Sequence, residues 1–180
     1  MIDRRNRTLC IVIFSILTMM SVLLMSGCSQ TEEDPYRTAI TKVLEHQFNG
    51  PDEKFMELLW NPKYTTVVNN KEENKEFDQY VEEVYGPYFT DSELDFFIAA
   101  FATSYQSRAL DTGHKLSLKD ITIEQSDKIS NRYTFIAKVG YQKKGDEEKI
   151  ANVEGEVMFS TKEDGQIGRF SYGDDDGLLR

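Results

Sequence analysis

Histidine is scarce in this 180-residue chain, and its scarcity narrows the chemistry that the protein can perform. His46 and His114 are the two histidines, and the chain has no Gly-x-Ser-x-Gly sequence. A serine nucleophile needs a histidine to accept its proton, and a zinc site needs several ligands at characteristic spacing. The two histidines have no such spacing, so we expect them at the surface or at helix ends. The sequence therefore predicts no catalytic residue, no metal site and no cofactor.

Carboxylates are the remaining candidates for acid–base chemistry. Asp95 lies beside the apolar stripe of a predicted helix and is the acid whose burial would matter most. Glu154 and Glu156 alternate with apolar residues, which places them on the solvent side of a predicted strand. The acidic run 174–176 lacks the alternating ligands of a calcium loop, so residues 174–180 are predicted to form a frayed acidic tail.

The first 27 residues have the composition of a secretory signal. An apolar run from Leu9 to Met25 follows a head that contains three arginines, and the small residues Ser26 and Gly27 come next. A basic head, an apolar centre and small residues before a cut site are the parts of such a signal. A retained transmembrane anchor is the alternative, although the seventeen-residue run is at the short end for a span.

A cysteine would be the first residue after this cut. The sequence Leu24-Met25-Ser26-Gly27-Cys28 resembles the lipobox of bacterial lipoproteins. The resemblance implies that lipid is attached to the Cys28 thiol and that residues 1–27 are removed. The protein would then be lipid-anchored at the extracytoplasmic face of the cell membrane, with residues 28–34 as a short tether. Cys10 would leave with the signal, so no disulfide is predicted.

The predicted mature chain is strongly acidic. Residues 28–180 carry 18 Lys and Arg against 30 Asp and Glu, a net charge of −12. A body of this charge, without a basic patch, repels phosphate backbones, which argues against nucleic acid as a partner. It also argues against flat docking on anionic lipid, where basic residues are expected.

Periodic apolar residues predict four helices in the first two thirds of the chain. They are predicted over 35–48, 52–60 and 77–84, with a long helix that begins after Thr90 and ends near Thr112. Asp34 and Pro35 have the residue types of an N-cap and a first helical position. Thr90 and Glu93 match a capping box, in which both side chains satisfy backbone N–H groups at the helix start.

Alternating apolar and polar residues predict strands in the last third of the chain. The main strands are predicted over 116–123, 133–141, 151–159 and 167–172. Their apolar phase slips near Lys119 and Asp120, which predicts a β-bulge. Short connections with Gly and Asp favour hairpins, so the four strands should form an antiparallel meander with one face on the helices. Upstream, 64–68 is predicted as an edge strand and 69–75 as a charged loop.

This order of elements looks like the NTF2-like (cystatin-like) α+β cone. The resemblance covers about residues 35–173, and the residues expected in the core are Tyr36, Phe55, Phe101, Phe135, Val157 and Phe170. It implies N-terminal helices packed on a curved antiparallel sheet of four to five strands, often with a pocket at the open end. Members include isomerases, dehydratases, transport factors and non-catalytic envelope domains, so the resemblance predicts a fold and not an activity.

Five aromatic residues lie around the breaks between the predicted helices. They are Trp60, Tyr64, Tyr85, Tyr88 and Phe89. At the open end of a cone they would form a ligand mouth or a partner surface, and packing at the helix ends is the alternative explanation. The sequence thus favours a non-catalytic binding or scaffolding module for another envelope protein or a small ligand. A small hydrolase or isomerase with a carboxylate in the pocket is the alternative.

The predicted tether limits the choice of partner. Six residues lie between Cys28 and Pro35, and even fully extended they span only about 20 Å. A domain held this close to the bilayer meets partners that are also at the membrane. We therefore expect a membrane-associated envelope protein as the partner.

Replacing the lipidation residue tests this reading of the N-terminus. In the Cys28→Ala variant we expect no lipid attachment, because the thiol that accepts the lipid is gone. The precursor should stay uncleaved or be shed to the medium, which metabolic labelling with a lipid precursor and detergent phase partitioning would show. Partitioning and maturation equal to those of the wild type would contradict the prediction.

Overall fold

The computed structural model describes residues 34–179. Within that range the protein is an α+β fold, with helices packed on one face of a four-stranded antiparallel sheet. The predicted signal at 1–27 and the lipidation site at Cys28 lie outside the described residues. None of the helices between Asp34 and Leu179 has both the length and the apolar composition that a bilayer span requires.

The described elements follow one another from helices to strands. The helices are α1 (Pro35–Phe48), α2 (Glu53–Trp60), α3 (Lys75–Val84), α4 (Asp91–Phe97) and α5 (Thr103–Thr112). Short 3-10 turns occupy Pro62–Tyr64 and Gly86–Tyr88, and a π-helical turn, Ile98–Ala102, joins α4 to α5. The strands are β1 (Thr66–Val68), β2 (Lys71–Glu73), β3 (His114–Gln125), β4 (Arg132–Lys143), β5 (Lys149–Phe159) and β6 (Ile167–Tyr172).

The first two helices begin at the residues that the sequence predicts. The Asp34 carboxylate accepts the N–H of Tyr36 at 3.0 Å, and Pro35 holds the first position of α1, where its missing N–H costs nothing. The Asp52 carboxylate accepts the N–H of Phe55 at 3.0 Å and caps α2. Both caps satisfy backbone donors that a helix start leaves without partners.

The predicted capping box at the start of α4 is wrong. The Thr90 hydroxyl makes no cap hydrogen bond, and the Glu93 carboxylate instead accepts the N–H of Phe170 in β6 at 2.7 Å. The N–H of Thr90 donates to the carbonyl of Ile167 at 3.0 Å. The reason is that β6 is an edge strand with unpaired backbone groups, and α4 lies close enough to satisfy them.

The predicted long helix is confirmed, with a π-turn in its middle. Buried positions change spacing at this turn, where Phe97 is followed by Ala102 five residues later. The extra residue of a π-turn rotates the apolar stripe. As a result Phe101, expected in the core, is half-buried, although its ring still contacts those of Phe170 and Tyr172. The helix ends at Gly113, whose φ of +69° is readily adopted by glycine.

The four-stranded meander is confirmed in the order β3-β4-β5-β6. The register between β3 and β4 shifts between Leu118 and Asp120, so the predicted bulge is also confirmed. One phase of the strands is buried, with Tyr133, Phe135, Ala137, Val139, Ala151, Val153, Val157 and Phe159 facing the helices. Glu154 is exposed on the opposite face as predicted, and Glu156 on that face pairs with Arg132.

The predicted edge strand at 64–68 belongs to a separate hairpin. Strand β1 pairs with β2, which forms inside the stretch predicted as a charged loop. Asn69 and Asn70 connect them with φ of 51° and 62°. Asparagine tolerates this left-handed region, and two such residues make the tight turn that suits a two-residue hairpin loop. The two turn-forming asparagines therefore favour a hairpin here, even though the segment is highly charged.

The C-terminal segment is packed against the domain, so the prediction of a frayed tail is wrong. Leu178 and Leu179 are buried, and the Asp176 carboxylate accepts the N–H of Asn152 at 2.9 Å. The carbonyl of Asp174 accepts the N–H of Glu154 at 2.8 Å. Two leucines after the acidic run supply apolar area that offsets the cost of bringing the carboxylates against the sheet.

Aromatic rings fill the space between α4 and the sheet. Phe97 is fully buried, and its ring lies 4.6 Å from that of Phe89, 5.1 Å from Phe170 and 5.4 Å from Tyr85. Its neighbour Phe96 points outward and is 55% exposed. The two adjacent phenylalanines thus have opposite environments on the same helix.

This pair gives a matched test of the core. Phe97→Ala should lower the free energy of unfolding by about 3–5 kcal/mol, because it removes a buried ring and leaves a cavity. Phe96→Ala should change it by about 0.5 kcal/mol or less. Urea denaturation of the purified protein measures both, and equal losses would show that α4 does not pack as described.

Candidate functional site

The five aromatic residues of the predicted site do not share one environment. Tyr85 and Phe89 are 3% and 1% exposed and belong to the core. The Tyr85 hydroxyl accepts a hydrogen bond from Gln47 Nε2 at 2.8 Å, and burial raises its pKa. These two residues are therefore inaccessible to a surface ligand and do not belong to the predicted ligand or partner surface. Tyr88 is half-buried in the Gly86–Tyr88 turn.

Trp60 is the member of the group that the structure exposes. It ends α2 with 65% of its surface accessible, and the hairpin that follows exposes Val67 by 69% and Val68 by 41%. Tyr64, between them in the chain, is half-buried, with the Lys63 ammonium 4.4 Å from its ring centre. We refer to these three exposed side chains, Trp60, Val67 and Val68, as the Trp60 surface; the two valines are adjacent in β1 and lie on opposite faces of the hairpin. The two valines could not be placed on it from sequence, because their exposure depends on the separate hairpin.

The candidate acid–base residues are dispersed. Asp95 is exposed, so the enzyme alternative loses the carboxylate that the sequence favoured. Glu93 is half-buried, and burial raises its pKa while the N–H of Phe170 opposes that shift. Its carboxylate is directed at a backbone N–H of β6 and so has a structural role.

Both histidines also have structural surroundings. His46 is half-buried with its ring 5.7 Å from that of Tyr85, and burial lowers its pKa. His114 Nδ1 lies 2.7 Å from the Thr112 hydroxyl, and its pKa is lowered by burial and by Lys143. Between residues 34 and 179 no three His, Cys, Asp or Glu side chains are placed to hold a metal ion.

No pattern in the sequence indicates the buried amide cluster around Gln106. Gln106 Oε1 accepts the N–H of Asp52 at 2.7 Å, and its Nε2 donates to the carbonyls of His46 and Gln47 at 3.0 and 2.9 Å. These bonds join α5 to the last turn of α1 and to the N-cap residue of α2. A Cβ at Gly50 would lie 2.5 Å from Gln106 Oε1, so the close approach requires glycine there.

Two depressions lie on the described surface near β6. One has a volume of about 540 Å³ and walls in which most of the residues are polar, together with Met158 and Phe159, and the other, of about 430 Å³, includes three phenylalanines. Both are open to solvent and lie beside β6, the edge strand of the sheet. The face of the sheet that the cone model would leave as a pocket is instead packed with aromatic and aliphatic side chains.

Comparison with known proteins places the chain in no group: no family model, no curated protein and no solved structure matches it.

The amide cluster predicts a large effect from one substitution. Gln106→Leu keeps a similar volume but leaves an N–H and two carbonyls without partners, so it should cost about 2–4 kcal/mol of unfolding free energy. Gln142→Leu is the matched control, because Gln142 is exposed and donates only to the Asp146 carbonyl in a turn. Urea denaturation compares the two, and a similar small loss for both would show that the hydrogen bonds of Gln106 do not stabilise the domain.

Proposed function

We propose that this chain is a lipoprotein anchored through Cys28 at the extracytoplasmic face of the cell membrane. In this proposal the described domain, with an NTF2-like arrangement of elements, is a non-catalytic binding module. The exposure of the Trp60 surface carries the proposal. Trp60 and Val67 are 65% and 69% exposed and Val68 is 41% exposed, and a partner that covers this apolar area would remove it from water.

The chemistry of the Trp60 surface suits a protein partner. Tryptophan is enriched among residues that dominate binding energy, usually at the centre of an apolar patch with a polar rim. Charged pairs lie close by in the chain, with Lys63 Nζ 2.7 Å from Glu57 Oε1 and Lys75 Nζ 3.8 Å from Glu73 Oε2. These pairs are exposed and add little stability by themselves. They fit the rim of an interface that has Trp60 at its centre.

The proposed anchor and the net charge limit the kinds of partner that can bind. A tether of about 20 Å confines the domain to the neighbourhood of the bilayer. The net charge of −12 disfavours insertion of the Trp60 surface among anionic lipids, although salt screens that repulsion beyond about 8 Å. A membrane-associated envelope protein with an apolar, uncharged or basic docking surface meets both conditions.

Site-specific crosslinking in intact cells tests this proposal. A photoreactive amino acid at Val67 should capture a membrane protein, whereas the same amino acid at Ile150, which is 48% exposed elsewhere, should not. Adding Trp60→Ala should reduce capture at Val67 about tenfold or more, because such residues commonly contribute 2 kcal/mol or more to binding.

The outcome can also contradict the proposal. Equal capture from Val67 and Ile150 would mean that the Trp60 surface is not selective. Capture that survives Trp60→Ala unchanged would remove Trp60 from the interface. Inserting about thirty flexible residues after Glu33 should weaken capture, since it extends the reach by some 30 Å. Undiminished capture with that insertion would argue against a partner held at the membrane.

A further inference from the structure

The two depressions beside β6 adjoin each other and have chemically different linings, and we refer to them together as the groove, with a polar and an apolar half. They share Gly168 and Arg169 as a common wall. The polar half is lined by Thr90, Ser92, Asn131, Ser160 and Lys162, among others, and the apolar half by Phe96, Phe101 and Phe170. A groove with a polar end and an apolar end matches a ligand that has both.

The polar half combines two cations with an accessible hydroxyl. Lys162 and Arg169 form no salt bridge within residues 34–179. Thr90 as a whole residue is 8% exposed, and its hydroxyl makes no cap hydrogen bond. The hydroxyl is not among the described polar atoms that are both fully buried and without a partner, so it reaches the surface of this depression, where an oxygen-bearing ligand can replace water as its hydrogen-bond partner. Glu163 is the opposing charge in the wall.

The apolar half is built by the π-turn. Phe96 is 55% exposed and packs edge-on against Phe101, with ring centres 5.8 Å apart. Phe101 in turn contacts Phe170 at 6.1 Å. The three rings make an apolar wall that leads from solvent to the edge of β6. Glu93 also lines this half, but its carboxylate is engaged by the Phe170 N–H.

We propose that this groove binds a single-chain anionic amphiphile of the fatty-acid type. Its acid group lies between Lys162, Arg169 and the Thr90 hydroxyl, and its hydrocarbon chain lies along Phe96 and Phe101. Lys162 and Arg169 supply the positive charge that holds the acid group, and Glu163 and Glu93 in the same linings oppose it. The site differs from the Trp60 surface and does not depend on lipidation of Cys28.

The chain enters the domain at the same end as the groove. The Tyr36 hydroxyl donates to Asp164 Oδ1 at 2.7 Å, and the Tyr36 ring lies 4.7 Å from that of Phe159, a residue of the polar half. If Cys28 is lipidated, the groove therefore lies near the bilayer from which an amphiphile would come. The proximity to the bilayer rests on the proposed anchoring, and binding in the groove does not.

Photolabelling tests the proposal on the full chain in phosphatidylcholine nanodiscs. The probe is palmitate with a diazirine in its chain, and mass spectrometry maps the labelled peptides. We expect labelling near Phe96 and Phe101, about tenfold weaker apparent affinity for the variant with both Lys162→Gln and Arg169→Gln, and a similar loss for the methyl ester of the probe. Lys138→Gln removes an exposed cation from the sheet and is the matched control.

Three variants separate recognition from misfolding. Phe96→Ala should weaken labelling without changing the melting temperature, because Phe96 is exposed. Thr90→Val should weaken it severalfold at nearly constant side-chain volume. Glu163→Gln should strengthen it, since the opposing charge is removed, and a gain in affinity cannot come from unfolding.

Several results would overturn the proposal. Equal labelling by the acid and its methyl ester would show that no anion is recognised. Displacement of the probe by millimolar inorganic phosphate as effective as that by unlabelled palmitate would show a simple anion site. Full displacement by phosphatidylglycerol in the nanodisc would assign the groove to bilayer lipid instead. Labels placed elsewhere on the chain would remove the site altogether.

Discussion

The contact between the long helical segment 91–112 and strand β6 is the interaction on which the rest of the domain depends. A four-stranded sheet with one apolar face must be covered, and its edge strand must not be left with free backbone donors. Phe97 covers the apolar face by packing against Phe170. The Glu93 carboxylate accepts the Phe170 N–H, so this backbone donor of the edge strand has a partner. One residue of β6 thus receives both the apolar and the polar contact, so helix and sheet are fixed in position and in register.

The π-turn follows from the same constraint. Phe97 and Ala102 are both buried, and Ala102 lies five positions after Phe97. Successive buried positions of a regular α-helix lie three or four positions apart, so the spacing is one position longer here. The extra residue rotates Phe101 partly out of the core and brings it beside the exposed Phe96. π-turns are frequent at functional sites. Here the geometry that completes the core also builds the apolar wall of the groove, so fold and groove have a common origin.

Local patterns predicted the elements, and long-range contacts decided the rest. The helix starts at Asp34 and Asp52 and the bulge near Asp120 depend on residues close in sequence, and each was predicted correctly. The Thr90–Glu93 capping box is also a local pattern, but the Glu93 carboxylate instead accepts a hydrogen bond from Phe170 in β6, seventy-seven residues later in the chain. The sequence did not distinguish the buried Tyr85 and Phe89 from the exposed Trp60. All three are aromatic residues near helix breaks, and their burial depends on neighbours that are distant in the chain. Lipidation of Cys28 and the NTF2-like fold remain predictions.

The filled interior bears on where this protein can act. An NTF2-like cone with an open pocket would bind its ligand under the helices, but here Phe48, Phe89, Phe97, Phe135 and Phe170 are all at most 1% exposed in that space. A pocket in this space would require the stacked rings to separate and the hydrogen bond between Glu93 and the Phe170 N–H to break. Both changes would lower the stability of the domain. Recognition is cheaper on elements that the core does not need, and the β1–β2 hairpin and the outer side of α4 are two such elements. The valines of the Trp60 surface belong to the first, Trp60 itself lies at the end of α2, and the exposed Phe96 belongs to the second. The physical cost of opening the core therefore favours the periphery of the domain for the binding that we propose.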